Sequence, residues 1–152
     1  MPPSTERPEY WPLPFVVRFN HENGIAPYNG AVAITANSKA VTPEQASRSP
    51  AISKAFAGCQ AVAKLLKVTA PIRIDVPQRA DEAESPFVLF DVNMKPNMTA
   101  PGRPGRDDQA SLTALAAAEG GYNSAELLRM ILGSARKLEE LRGTDLPRWS
   151  EQ

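Results

Sequence analysis

Two segments constrain this chain more than any other feature. They are Ile72-Arg73-Ile74-Asp75-Val76 and Phe87-Val88-Leu89-Phe90-Asp91-Val92-Asn93, separated by the acidic stretch Asp81-Glu82-Ala83-Glu84. Side chains alternate faces along a strand. Ile72, Ile74 and Val76 therefore share one face, and Arg73 and Asp75 the other. In the second segment Val88, Phe90 and Val92 share a face, and Leu89, Asp91 and Asn93 share the opposite one. The pattern predicts strands over Ile72–Val76 and Phe87–Val92, each with an apolar face and a polar end. In an antiparallel hairpin, a single register places Asp75 opposite Asp91 and Arg73 opposite Asn93, with the turn inside the acidic stretch.

Directly opposed carboxylates destabilise a strand pair. A hard divalent cation offsets that repulsion, since Mg²⁺ takes oxygen ligands from one or two carboxylates, phosphate and water. Asn93 adds a carbonyl oxygen, and Arg73 a cation suited to phosphate or carboxylate. The face reads as a magnesium–phosphate site. It reads equally as the wet face of a half-buried hairpin, with Arg73 neutralising the acids.

The rest of the chain is α+β. Five prolines in residues 1–14 keep that segment irregular. Phe15 to Phe19 is a short apolar run. His21 to Gly30 reads as loop, with Asn23-Gly24 and Asn29-Gly30 as turn signals, and Ala31 to Thr35 as a weak strand. Ser49-Pro50 caps a helix. Its apolar positions Ile52, Ala55, Phe56, Cys59, Val62, Ala63 and Leu66 recur at helical spacing. Residues 93–108 form a Pro/Gly-rich loop and 109–119 a short helix. Asn123 and Glu126 form a capping box that opens a helix to about Leu141. Residues 143–152 read as a loose tail, and Cys59 as a core residue.

Composition excludes several functions. Lys+Arg and Asp+Glu number 17 each, so the basic field needed for non-specific nucleic-acid or anionic-membrane binding is absent. No stretch approaches the roughly 18 apolar residues of a membrane span. One cysteine permits no internal disulfide and fits a reducing, cytoplasmic setting. His21 is the only histidine, which leaves little for a histidine metal site or a Ser–His–Asp triad. The basic loop Pro101–Arg106 has no aromatic neighbour for stacking. Neither Gly-rich nucleotide motif, GxxxxGK[ST] or GxGxxG, is present.

At Arg73-Ile74-Asp75-Val76 and Asp91-Val92-Asn93-Met94-Lys95-Pro96-Asn97-Met98-Thr99 the sequence resembles the ATP-grasp superfamily. Within it, the resemblance is to the D-alanine–D-alanine ligase-like group, with its R-[VI]-D-[FV] and E-V-N-T-x-P-G-[MF]-T strings. Ser111-Leu112, an Ala-rich helix, and Tyr122 followed by Glu126-Leu127-Leu128 resemble the family's closing segment. Motif order agrees from about residue 60 to residue 142. The resemblance implies the C-terminal subdomain of an ATP-grasp fold, incomplete over residues 15–142, with an antiparallel sheet and flanking helices. It implies Asp75, Asp91 and Asn93 as ligands of Mg²⁺ or Mn²⁺ that bridge the metal to ATP phosphates. It implies Arg73 on the transferred phosphoryl group, and Asn97 through Thr99 cradling intermediate and substrate. Ser111 and Leu112 become substrate-side contacts.

The implied chemistry is ATP-dependent activation of a carboxylate as an acylphosphate, followed by attack of an amine. Asp91 stands where the family has Glu, and Asn97 where it has Gly. The loop through Arg106 is longer and more basic than in D-alanine ligases, so no D-alanine substrate is assigned. The family's ligases are longer than this chain, and their phosphate lysine, adenine hinge and N-terminal substrate domain are not matched. The expectation is a C-terminal portion, inactive alone, that self-associates through exposed edges. The alternative is a non-catalytic binding module derived from the same domain.

Overall fold

In the computed structural model, the described residues are 1–19, 33–80, 82, 85–102, 104–105 and 109–142. They form an α+β arrangement with two separate two-stranded antiparallel sheets. The first pairs β1 (Val16–Arg18) with β2 (Ser38–Ala40), Val16 opposite Ala40 and Arg18 opposite Ser38. The second pairs β3 (Arg73–Asp75) with β4 (Asp91–Asn93). The strand expected near Ala31–Thr35 is not found in its described part. Ile34–Ala36 is a 3₁₀ turn, and the strand begins at Ser38. His21 and the loop to Gly30 lie outside the described residues, as do residues 143–152.

Helix boundaries follow local chemistry. Thr42 and Gln45 form a reciprocal capping box on α1 (Pro43–Ser47). Ser49 accepts from the Ile52 N–H and Pro50 opens α2 (Pro50–Leu65), as the Ser-Pro signal predicts. Ser111 caps α3 (Leu112–Glu119). The Asn123–Glu126 capping box opens α4 (Ser124–Gly133). The expected continuation to Leu141 breaks at Gly133-Ser134, and a separate short helix, α5, spans Leu138–Arg142. Glycine near a helix end favours termination over propagation.

Two helices stop in the same way. After α3, Gly121 adopts φ +81°, the Tyr122 N–H donates to Ala117 O and the Gly121 N–H to Ala118 O. After α2, Lys67 adopts φ +50°, with Val68 donating to Ala63 O and Lys67 to Lys64 O. Both are Schellman terminations, which require a left-handed residue. Val68, just beyond the second, is buried.

The core is built mostly from alanine. Ala51, Ala55 and Ala63 of α2, and Ala114, Ala116 and Ala117 of α3, are buried, with Val68 and Leu127 the larger members. Small side chains let α3 pack on β1, β2 and α4 together. Cys59 is half-buried, not fully in the core. Phe15, just before β1, stacks edge-on to Phe56 of α2 at 5.7 Å and lies 5.1 Å from Phe87 beside the hairpin. One ring thus ties β1, α2 and the β3–β4 hairpin together.

The proline-rich segment is irregular, as expected, but it is fastened. Met1 and Trp11 exchange backbone hydrogen bonds. Gln60 of α2 donates to Tyr10 O, and Tyr10 donates its hydroxyl proton to Val68 O. Arg7 stacks 4.3 Å above the Trp11 ring and donates to the Tyr122 hydroxyl at 2.8 Å. Among the described residues no helix is long and apolar enough to cross a membrane.

Candidate functional site

The β3–β4 hairpin carries the candidate site. Its register is Arg73 opposite Asn93, Ile74 opposite Val92 and Asp75 opposite Asp91. Both polar pairs expected from the sequence form together, on one face. The strands are shorter than Ile72–Val76 and Phe87–Val92. β4 also begins later, because the ladder is interrupted beyond Asp75.

The interruption is a one-residue shift of register. Continuing the register outward would bring Gln78 opposite Val88, but its partner is Phe87. The Val88 N–H donates to Pro77 O, and the Phe90 N–H donates to Asp75 O at 3.0 Å. Phe90 and Asp91 therefore both oppose Asp75, which makes a β-bulge. Pro77 has no N–H to return to Val88, so that pair carries one hydrogen bond where a regular pair carries two, and pairing resumes at Arg79 N–H to Pro86 O.

The bulge corrects the expected faces. In the outer register Leu89 lies opposite Val76, so it belongs with the apolar face and not with Asp91 and Asn93. Leu89, Val76 and Phe87 accordingly line one cleft of about 590 Å³ against Ala51, Ala55 and Gly58 of α2. Phe90 moves to the flank of the acid pair and is 81% exposed, the most exposed large apolar side chain described. The alternation fails at Phe90-Asp91, where no residue type signals it.

On the polar face, Arg73 grips Asp75 as a fork. Nε donates to Oδ1 at 2.8 Å and Nη2 to Oδ2 at 3.0 Å. The two side chains keep 34% and 43% of their exposure. Asp91 is exposed and has no ion-pair partner among the described residues. One guanidinium thus faces two carboxylates. This is the arrangement in which Arg73 neutralises an acid, and it leaves the second acid without a counter-charge.

Asn93 is half-buried, and its Oδ1 accepts from the Lys95 N–H at 2.9 Å. Asn97 Oδ1 accepts from both the Thr99 N–H and the Thr99 hydroxyl. Thr99 O in turn accepts from the Ser111 N–H at 2.9 Å. Residues 93–99 therefore hold two side-chain-closed turns, and Thr99 is tied directly to the cap of α3. Ser111 is 2% exposed and its hydroxyl caps α3 by accepting from Ala114 N–H. Leu112 is half-buried at the first turn of that helix. Ser111 thus ties Thr99 to the start of α3. Arg103 and Arg106 of the basic loop lie outside the described residues.

Asp75, Asp91 and Asn93 carry oxygen atoms of the kind Mg²⁺ or Mn²⁺ takes; Asp75 is held by Arg73 and Asn93 Oδ1 by the Lys95 N–H. Among the described residues no group of three or more His, Cys, Asp or Glu is arranged to hold a metal. The set here has two carboxylates and an amide. Comparison with protein-family models, curated proteins and solved structures finds no match to this chain.

Proposed function

We propose that the chain is the metal-binding, C-terminal portion of an ATP- and Mg²⁺-dependent carboxylate–amine ligase of the ATP-grasp type, working through an acylphosphate. The observation that carries this reading is the register, which brings Asp75, Asp91, Arg73 and Asn93 to one face in the order the resemblance requires. Three large apolar side chains stand out from the surface. Leu65, Phe90 and Leu132 are each more than 70% exposed while the buried side chains are mostly alanine.

In this reading Asp75 and Asp91 hold a divalent cation between the strands and Asn93 adds a neutral oxygen. The cation supplies charge neutralisation at the ATP phosphates. Arg73 donates to anionic oxygen at the same face. The Asn93–Lys95 and Asn97–Thr99 turns hold the loop that follows β4 against α3, beside the face where substrate would lie. The substrates are ATP, a small carboxylate and an amine. Because this portion contains only the metal end of the site, the chain alone is inactive.

Calorimetric titration of Mg²⁺, and then Mg–ATP, into the 152-residue protein tests the reading. Weak Mg²⁺ binding that disappears in the Asp75→Asn/Asp91→Asn variant, without ATP turnover, is expected. Identical heats in both proteins would overturn the metal site. ATP turnover by the wild-type chain would overturn its status as an inactive portion.

A further inference from the structure

We infer that Arg18, Asn37 and Ser38 form a binding site for a small carboxylate at one end of the β1–β2 ladder. This site is separate from the β3–β4 hairpin and does not rest on the metal-site reading. Arg18 stands directly opposite Ser38, so the two side chains share a face, with Cβ atoms about 4.5–5.5 Å apart. The Ser38 hydroxyl donates to Asn37 Oδ1 at 3.1 Å, which holds the Asn37 amide against that hydroxyl. Asn37 is 2% exposed and Ser38 7%. The backbone closes the next rung, where the Phe19 N–H donates to Asn37 O at 2.9 Å.

Two donors of this cluster go unused. Arg18 Nε and Asn37 Nδ2 are both closed to solvent, and neither has a hydrogen-bond partner. Arg18 also has no ion-pair partner among the described residues. A buried donor without an acceptor costs free energy, and a charged one costs more than an amide. The Ser38 proton is already committed to Asn37 Oδ1. What remains is a pair of N–H donors and one positive charge. The ligand that completes such a set is an anion that only accepts. A carboxylate does so with one oxygen for each donor, and the guanidinium strengthens the contact by its charge. Water accepts from both donors but leaves the charge uncompensated. The end of a three-residue ladder opens locally more readily than a core element, which admits a small anion.

The test follows the Arg18 Nε–H and Asn37 Nδ2–H resonances of the ¹⁵N-labelled full chain as sodium formate replaces sodium chloride at constant ionic strength. Both are expected to move downfield together and to saturate with one dissociation constant. The thermal midpoint should rise with formate as that constant dictates. Asn37→Asp puts a carboxylate oxygen in place of Nδ2, so its formate response should vanish while the fold is kept. Where that variant does not fold, Arg18→Lys reads the same contact and should bind formate about fivefold or more weakly. A downfield position already present in chloride and lost on dilution would also support the site, with the carboxylate supplied by a second copy of the chain. Resonances unmoved by formate and by dilution, with cross-peaks to water, would make the occupant a buried water and overturn the inference. Equal formate responses in wild type and both variants would reduce the effect to salt and overturn it as well.

Discussion

Asp75 accepts the Phe90 backbone N–H at 3.0 Å, although the residue in register opposite Asp75 is Asp91. This offset lets the hairpin keep an apolar face along its whole length. It returns Leu89 and Phe87 to the side of Val76 and α2 while Asp91 and Asn93 stay beside Asp75 and Arg73.

Deleting Phe90 tests the bulge. The shortened strand would run in one register from Phe87 to Asn93, with Leu89 still facing α2 and Asp91 still opposite Asp75. Thermal unfolding is expected to be unchanged or raised, and the Ile74–Val92 cross-strand contact kept in nuclear Overhauser spectra. Without a bulge, Phe90 would lie on the apolar face, and the deletion would remove it and turn Val88 to the polar face. The loss would then be on the order of 2–3 kcal/mol per side chain removed from apolar contact.

Lys67 occupies the left-handed position that Gly121 fills in the equivalent termination of α3. Lys67→Gly is expected to stabilise the protein by about 1 kcal/mol, because glycine reaches that conformation without a Cβ clash. For a domain of this size, thermal unfolding should rise by about 2–4 °C. A lower midpoint would show that the lysine side chain compensates for its backbone strain.

Phe15→Ala removes the ring shared by Phe56 and Phe87. The ring is only half-buried, so a loss of about 2 kcal/mol is expected in urea denaturation, below the usual range for a fully buried phenylalanine. Hydrogen exchange should quicken in both α2 and the hairpin. Quickening in α2 alone would mean the ring does not couple them.

Burial raises the Cys59 thiol pKa above its ordinary value. The thiolate is the reactive form, so alkylation at neutral pH is expected to be slower in the folded protein than in denaturant. The pH at half-maximal rate should also lie higher in the folded state. A folded-state rate equal to the denatured one would contradict this.

Strong local signals were legible in the sequence. Ser49-Pro50 and Asn123–Glu126 fixed two helix starts because a cap needs only a side chain and an N–H three residues on. The β3–β4 register was legible because opposed polar residues allow one alignment. The bulge was not legible because strict alternation assumes an unbroken ladder, and Phe90-Asp91 carries no residue that marks a shift of register. β2 was missed because Ser38-Lys39-Ala40 has little strand propensity and pairs through its neighbour β1. The break at Gly133 was hidden by leucines that continue a helical spacing on both sides. Arg73 pairs with Asn93 and Asp75 with Asp91 in the register the pattern suggested. The burial of Ser111 came from packing α3 against two strands, which no local pattern encodes.

The most direct measurement of the central claim is paramagnetic broadening of amide resonances by Mn²⁺ in the ¹⁵N-labelled protein. Broadening centred on Asp75, Asp91 and Asn93, and abolished by the Asp75→Asn/Asp91→Asn variant, is the expected result. Broadening centred on another acidic segment, such as Glu139-Glu140, or no localised broadening at all, would contradict a metal site on this hairpin.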